Sequence, residues 1–398
     1  MPCKSQEDNY KNVVIVAHKF VTQPDDDLIH YLNEKKYYNI MHIQHSFSDA
    51  PDRCSYYTWY KLGKLYKEFR TNDYRDRNEV VIYLKEFFYT LKWVKESRIK
   101  WDIYIGMDGL CVYWGNLLRL LGRVKKTIFW AIDFVPANRF RSRIQNTIYH
   151  FINKQGYKKS DEMWDLSPRM AEARVKFLGI STNAYRMHRV VPYGVWTNRI
   201  KKYPYGECEQ NTLVFMGHLL EKQGVQLIIK TIPEIIKYKP DFRFKIIGDG
   251  QYKDSLVSLA NDLNVIRYCD FKGKIDDHKE LENEIAKSCL SIAPYIKELD
   301  TWTYYSDPGK VKTYLACGVP VLLTDIPWNA REIEENLCGK IISENPIDIF
   351  HYIIMFMDAE KNQICRDNTI QYSKRFSYEN IFRNLILFDK HLISSAKD

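Results

Sequence analysis

The chain alternates short apolar runs with longer amphipathic segments, and the alternation occurs twice. In the first half, strand-length runs such as 12–17 (NVVIVA) and 102–107 (DIYIGM) are separated by segments with the apolar spacing of helices. The pattern restarts with 212–216 (TLVFM) and 242–247 (FRFKII). Strands that alternate with helices predict parallel sheets covered by helices. The sequence therefore predicts an α/β protein with two doubly wound, Rossmann-like units.

A polar stretch that contains proline and glycine, residues 201–210 (KKYPYGECEQ), separates the two alternating halves. This composition is typical of a linker, and 398 residues suit two domains. We expect domains at 1–200 and 201–375, with residues 376–398 forming a C-terminal helix that packs back on the first domain. Two such domains facing each other would place a ligand cleft between the carboxyl ends of their strands.

The net charge of +9 is concentrated in one part of the chain. Residues 51–200 carry 28 Lys and Arg against 14 Asp and Glu, whereas residues 251–350 carry 11 against 17. Within the basic part, residues 55–70 and 139–159 interleave basic and aromatic side chains, and the first segment has the spacing of an amphipathic helix. Such faces suit an anionic membrane surface, although a solvated surface over an ordinary core is the alternative. Nucleic acid is not an expected partner, because no recognisable binding module accompanies the charge.

The sequence has no apolar run of about 18 residues that could span a membrane, and its first residues are polar. We therefore expect a cytoplasmic protein, held peripherally at the inner face of the cell membrane. The nine cysteines include no C-x-x-C pair, which predicts reduced thiols and neither a disulfide framework nor a zinc site.

The turn after strand 212–216 has residues suited to phosphate binding. Gly217 would let the backbone approach a ligand closely, and Lys222 precedes a helix whose amino terminus attracts anions. An ordinary turn with a surface lysine is the alternative.

A second turn, residues 306–310 (SDPGK), precedes another helix. Ser306 or Asp307 is suited to cap it, with Pro308 at the first helical position. Lys310 in the first turn opposes the helix dipole unless it shares a bound anion with the backbone amides. The alternative is a capped surface helix without a ligand.

In order and spacing, residues 211–343 resemble the donor-binding domain of family 4 type GT-B glycosyltransferases, also called glycosyltransferases group 1. The resemblance rests on the ordered motifs GHLLEKQGVQLIIKTIP, FKIIGDGQYKDSLVSLA, FKGKIDDHKELENEIAKSCLSIAPY, PGKVKTYLACGVPVLLTD and AREIEENLCGKII. The first half resembles the acceptor domain of these enzymes more loosely. The resemblance implies a GT-B fold with two Rossmann-like domains facing a central cleft. It also implies metal-independent transfer of a sugar from a nucleotide-diphosphate sugar to an acceptor, with retention of configuration.

The resemblance assigns donor-binding roles to residues in four turns and one helix. These residues are Gly217, His218, Lys222, Gly248, Gly273, Lys274, Ser306, Asp307, Gly309, Lys310 and Thr313. His218 stands where the family has an arginine, and Tyr305 and Thr313 stand where it has two glutamates. Recognition of the nucleotide sugar must therefore differ in detail, with Thr313 still able to bond one ribose hydroxyl.

The catalytic candidates follow strands of the first half. Asp108 and Asp133 come after predicted strands, and His18 ends the first one, so all three are expected at the carboxyl edge of the sheet. Each aspartate could instead cap a helix, and the histidine could be structural. The D-x-D spacing within residues 25–27 follows Pro24 at a predicted helix start, where acidic residues are favoured by the dipole. No metal is therefore predicted, and no cofactor is expected besides the nucleotide-sugar substrate.

Three other functions are compatible with these residues. They are an inverting transferase with an aspartate base, a nucleotide-sugar epimerase of the same fold, and a non-catalytic basic protein that binds membranes.

Overall fold

Each half of the chain builds its own mainly parallel sheet. The computed structural model describes residues 11–19, 23–36, 38–46, 54–72, 78–135, 139–299 and 303–386. The chain divides into two units, Met1–Val191 and Pro192–Asp398, so the linker predicted at 201–210 lies inside the second unit. The structure describes the predicted C-terminal helix over Tyr378–Ile386, and the remainder of 376–398 beyond it lies outside the described residues.

The first unit contains an eight-stranded sheet. Its strands are β1 (Lys11–Lys19), β2 (Tyr38–Ser46), β3 (Ser55–Lys61), β4 (Lys64–Arg70), β5 (Trp101–Gly106), β6 (Val124–Ala131), β7 (Glu162–Asp165) and β8 (His188–Val190). They are ordered β4-β3-β2-β1-β5-β6-β7-β8, and only the β2-β3 and β3-β4 pairs are antiparallel. Its helices are α1 (Pro24–Lys35), α2 (Glu79–Glu96), α3 (Gly109–Leu120), α4 (Arg143–Lys159) and α5 (Pro168–Leu178).

Strand β1 lies in the interior of this sheet, and its residues Val13 to Ala17 are apolar and buried. Val14 and Val16 are buried in one cluster with Trp93 of α2 and Trp114 of α3. A continuous apolar run of this kind is typical of a parallel strand covered on both sides. The predicted doubly wound arrangement of the first half is confirmed.

The segment 55–70 is a β-hairpin, so the predicted amphipathic helix is wrong there. Leu62 and Gly63 both have positive φ, 53° and 77°, and a two-residue turn of this kind matches the twist of a hairpin. Tyr57 and Trp59 alternate with less buried neighbours along β3. The spacing of the aromatic residues fits both a helical period and the alternation of a strand. Pairing of β3 with β2 stabilises the strand.

The second unit contains a six-stranded, fully parallel sheet. Its strands are β9 (Glu209–Met216), β10 (Arg243–Ile247), β11 (Cys269–Gly273), β12 (Ser288–Ala293), β13 (Val321–Leu323) and β14 (Gly339–Ile341), in the order β11-β10-β9-β12-β13-β14. Its helices are α6 (Val225–Tyr238), α7 (Lys253–Asp262), α8 (His278–Ala286), α9 (Gly309–Ala316), α10 (Ala330–Glu335), α11 (Pro346–Phe356), α12 (Ala359–Ser373) and α13 (Tyr378–Ile386).

Side chains of β9 alternate between two buried clusters. Leu213 and Phe215 pack with Ile228 of α6, whereas Val214 packs with Val311 and Leu315 of α9. Helices therefore cover both faces of this sheet, as the sequence predicted. No helix in the described ranges is long and apolar enough to cross a membrane.

Candidate functional site

Three glycines join the carboxyl ends of β9, β10 and β11. The Gly217 amide donates to the Ile247 carbonyl at 2.9 Å, and the Gly248 amide donates to the Gly273 carbonyl at 2.8 Å. Gly217 and Gly248 have φ values of 145° and 139°, which favour glycine. A Cβ atom on Gly248 would lie 1.9 Å from the Gly217 carbonyl oxygen. Crowding of the backbone therefore requires glycine at this edge, which is called the glycine edge below.

Lys310 lies directly beside the glycine edge. A Cβ atom on Gly217 would be 2.8 Å from Lys310 Nζ. The same Nζ donates to Gln223 Oε1 at 2.5 Å and lies 4.2 Å from the centroid of the Phe215 ring. Lys310 is the second residue of α9, so the predicted place in the first helical turn is confirmed. The structure thus puts an ammonium group, a helix amino terminus and half-buried glycine backbone together, which is a chemistry suited to an anion.

The predicted cap of α9 is wrong. Pro308 occupies the N-cap position, with no side-chain cap, and the hydroxyl of Ser306 donates to the Thr303 carbonyl at 3.3 Å. The hydroxyl of Thr313 donates to the Gly309 carbonyl at 3.4 Å.

Asp307 lies inside the second unit, where its carboxylate meets a buried lysine. It is 2% exposed and pairs with the buried Lys312. Its other partners are the Tyr193 amide at 2.7 Å and Trp328 Nε1 at 2.6 Å. Lys312 is two positions beyond Lys310, and sequence spacing did not reveal that one lysine faces inward and the other faces the glycine edge.

The remaining predicted donor residues lie around the same edge. His218, just past β9, is exposed. Lys222 is half-buried, and its carbonyl accepts from the Ile296 amide at 3.0 Å. Lys274 is exposed and pairs with Asp276 at 2.5 Å. The role of these residues in nucleotide binding stays a prediction.

At the carboxyl edge of the first sheet, His18 and Asp108 meet, although 90 positions separate them in the sequence. Asp108 Oδ2 lies 2.5 Å from His18 Nδ1, while Oδ1 accepts from the Leu110 and Cys111 amides and so caps α3. Glu86 of α2 lies on the other side of the ring, with Oε2 3.2 Å from His18 Nε2. We call Glu86, His18 and Asp108 the histidine relay.

The histidine relay holds a positive charge between two carboxylates. Burial alone would lower the pKa of His18, but Asp108, Cys111 and Glu86 raise it well above 6.5. Burial would raise the pKa of Asp108, yet His18 and the Cys111 amide hold it well below its usual range. Asp108 thus stays ionised and has little affinity for a proton. Its side chain is 34% exposed, so a ligand hydroxyl can reach it.

Asp133 has a different environment. It lies two residues beyond β6 with a side chain that is 58% exposed, and Arg139 Nη1 is 3.6 Å from its Oδ2. The structure does not join Asp133 to the histidine relay by a hydrogen bond among the described residues.

Glu86 is the site residue that the sequence analysis missed. It stands on the inward row of α2 with Ile82 and Thr90, all of them buried. A glutamate at a core position of an amphipathic helix could have identified Glu86 from the sequence, because a carboxylate is seldom buried without a partner.

Two groups of the described residues have ligand atoms close enough for a metal ion, namely His18, Asp108 and Cys111, and Asp25, Asp26 and His42. In the first group the 2.5 Å between His18 Nδ1 and Asp108 Oδ2 is a hydrogen-bond distance. Two ligands of one tetrahedral ion would be about 3.3 Å apart, so this pair fits a shared proton better than a metal. In the second group, Asp25 Oδ2 lies 2.8 Å from His42 Nε2.

We expect Glu86→Gln to lower the pKa of His18, because it removes one of the charges that stabilise the imidazolium. A raised folded-state pKa means that His18 stabilises the fold fully below pH 6.5, and that this contribution is lost as the pH rises through the folded-state value. In the variant, this contribution should be smaller and its loss should be complete at lower pH. Imidazole NMR titration and unfolding at several pH values measure both effects. Glu96→Gln, at the exposed end of the same helix, is the control, and an unchanged His18 titration in Glu86→Gln would contradict the relay.

Comparison with solved structures identifies the architecture. The chain matches a sucrose-phosphate synthase from Thermosynechococcus elongatus with a TM-score of 0.69 at 13% identity, covering 97% of this chain and 100% of that one. It matches WaaG, a glycosyltransferase involved in lipopolysaccharide biosynthesis, with a TM-score of 0.64 at 16% identity, covering 95% and 100%. The chain has the GT-B glycosyltransferase fold. The GT-B prediction from the sequence motifs is confirmed.

Within this GT-B chain, residues 210–358 match the family described as Glycosyl transferases group 1. A GDP-mannose-dependent alpha-(1-6)-phosphatidylinositol monomannoside mannosyltransferase of Mycolicibacterium smegmatis is 23% identical over 172 residues, which are 40% of this chain and 44% of that protein. A monoacylated-substrate counterpart of Corynebacterium glutamicum is 26% identical over 138 residues, 33% and 34% of the two chains. The chain spans about half the length, or less, of these curated relatives.

Proposed function

We propose that the protein is a glycosyltransferase that moves a sugar from a nucleotide-diphosphate sugar to a lipid-linked or polysaccharide acceptor. The observation that carries the proposal is Lys310 Nζ beside the glycine edge at the carboxyl end of a parallel sheet. Ligands of open α/β sheets bind at this edge. The match of residues 210–358 to group 1 glycosyltransferases supports the same reading.

The donor diphosphate would lie across Gly217 and the start of α9. There the backbone amides and Lys310 would stabilise the charge that develops on the leaving nucleotide, with Lys222 as a second cation. This arrangement supplies positive charge from the chain itself, and we propose transfer without a metal ion.

In the first unit, the histidine relay suits binding of an acceptor hydroxyl. The Asp108 carboxylate stays ionised and would accept a hydrogen bond from that hydroxyl, which orients it for attack. Because Asp108 has little proton affinity, the departing phosphate would take the proton, as in a retaining reaction that uses the leaving phosphate as its base. The more exposed Asp133 would contact the reacting sugars. An aspartate-based, inverting reaction would instead need Asp133 as the base.

The acceptor is proposed to be borne by a membrane, with the protein bound peripherally at the cytoplasmic face. Support comes from the basic excess of residues 51–200, including the segments 55–70 and 139–159, and from relatives whose names specify phosphatidylinositol mannosides.

Lys310→Ala and Lys222→Ala should each weaken binding of a nucleoside diphosphate at least tenfold, about 1.4 kcal/mol, because each removes a cation from the proposed diphosphate site. Calorimetric titration with a panel of nucleoside diphosphates measures the effect and identifies the base. Lys279→Ala, an exposed position on α8, should bind as the unmodified protein does. Unchanged nucleoside-diphosphate affinity in both Lys310→Ala and Lys222→Ala would contradict the proposed diphosphate site. Product analysis with a labelled donor tests the reaction class, since conversion of the donor without an acceptor would indicate an epimerase.

A further inference from the structure

Helices α2 and α4 present apolar side chains to solvent in regular rows. On α2, the outward row is Val80, Leu84, Phe88 and Lys92, and on α4 it is Ile144, Ile148, Phe151 and Lys158. All six apolar members are more than half exposed. Their spacing of three, four or seven residues puts each set on one face of its helix. Both rows run from apolar residues at the amino-terminal end to a lysine near the carboxyl-terminal end.

The two rows belong to neighbouring parts of the first unit. Gln145 Nε2 at the start of α4 donates to Glu79 Oε2 at the start of α2, at 3.2 Å. Between the two helices, Asp108 caps α3, and it acts electrostatically on Tyr83 of α2 and Tyr149 of α4. The apolar ends of both rows therefore lie beside the edge that carries the histidine relay.

We propose that these two rows dock the first unit on an anionic lipid bilayer. Soluble proteins seldom expose contiguous apolar rows of this size without a partner. A bilayer fits because the apolar side chains can enter the acyl boundary while the lysines extend to the headgroups. The surrounding residues 51–200 carry twice as many basic as acidic residues, 28 against 14, which complements anionic lipid. The docking surface thus includes α2, outside the two basic segments noted in the sequence.

Docking by these rows has a consequence for the acceptor. Because the apolar ends flank the histidine relay, the bilayer would hold that edge at headgroup level, where a hydroxyl on a lipid headgroup is accessible. The choice of a lipid acceptor rests on the proposed function, whereas bilayer binding itself does not.

The test is sedimentation of the full chain with vesicles of phosphatidylcholine, with and without phosphatidylglycerol. The unmodified protein should bind the phosphatidylglycerol vesicles more strongly. Combining Leu84→Glu with Ile144→Glu should lower the partition coefficient at least tenfold, and combining Lys92→Glu with Lys158→Glu should remove the preference for anionic lipid. Ile347→Glu, in the second unit, is the matched control, since Ile347 is 76% exposed and Ile144 is 73% exposed.

Three results would overturn the docking proposal. One is failure of the unmodified protein to bind anionic vesicles, and another is an equal loss in Ile347→Glu. The third is a dimer that Ile144→Glu dissociates without any vesicle binding, which would assign the surface to a second copy of the chain. Lys310→Ala should bind vesicles normally, so failure of the nucleotide assignment and failure of docking are distinguishable. Thermal unfolding of each variant confirms that it is folded, as expected for replacements at exposed positions.

Discussion

Gly248→Ala is expected to destabilise the second unit by about 3 kcal/mol or more and to abolish nucleotide binding. The new Cβ atom would lie 1.9 Å from the carbonyl oxygen of Gly217, and the amides of both glycines pair with the neighbouring strand ends. Relief of the clash requires β9 and β10 to separate at their carboxyl ends. Because φ is 139° there, alanine also adopts a strained backbone conformation.

Gly273→Ala is the matched control for this substitution. Gly273 has a φ of 72° and ends the adjacent strand β11, but a Cβ atom there meets no heavy atom of the described residues within 4 Å. It should cost only about 1 kcal/mol, the strain of a left-handed residue. Denaturant unfolding of both variants gives the comparison. Equal losses of stability in Gly248→Ala and Gly273→Ala would contradict the expected clash of the new Cβ atom at Gly248.

Asp108→Asn and Asp133→Asn should each reduce glycosyl transfer at least hundredfold, on the order of the contribution of a group that orients a reactant or transfers a proton, while leaving nucleotide affinity intact. At position 108, the amide carries no charge to orient the acceptor hydroxyl and no longer balances the protonated His18. At position 133, the exposed carboxylate proposed to contact the reacting sugars is lost. Initial rates with a donor identified by the nucleotide screen measure both effects.

Asp102→Asn provides the control for both aspartates. Asp102 lies at the amino end of β5, the strand that leads to Asp108, and its carboxylate binds Lys125 and the Asn12 amide. It is therefore at the opposite edge of the same sheet from the histidine relay. Full activity of Asp133→Asn would remove Asp133 from the catalytic residues, and full activity of Asp108→Asn would leave the relay with a structural role alone.

The architecture could be predicted from the sequence because its signals are local. The continuous apolar run of β1 predicts a strand buried on both faces, and Gly217 directly after β9 predicts a backbone that can approach a ligand. The hairpin of β3 and β4 was misread since aromatic residues in 55–70 satisfy a helical spacing as well. Residues Leu62 and Gly63 carry the competing signal, a two-residue turn between alternating segments.

The sequence by itself determined the parallel strands of both sheets, the strand ends that need glycine, and the uneven charge. Only the tertiary structure decided which polar groups meet. Parallel register of β1 and β5 brings His18 to Asp108 across 90 positions, and the helical rotation of α2 turns Glu86 inward to join them. Likewise, about half a turn of α9 separates Lys310 at the glycine edge from Lys312, which is buried against Asp307. Local spacing specifies strands and helices, whereas partners for buried charges depend on packing between elements distant in the chain, because a buried charge is stable only beside its counter-charge.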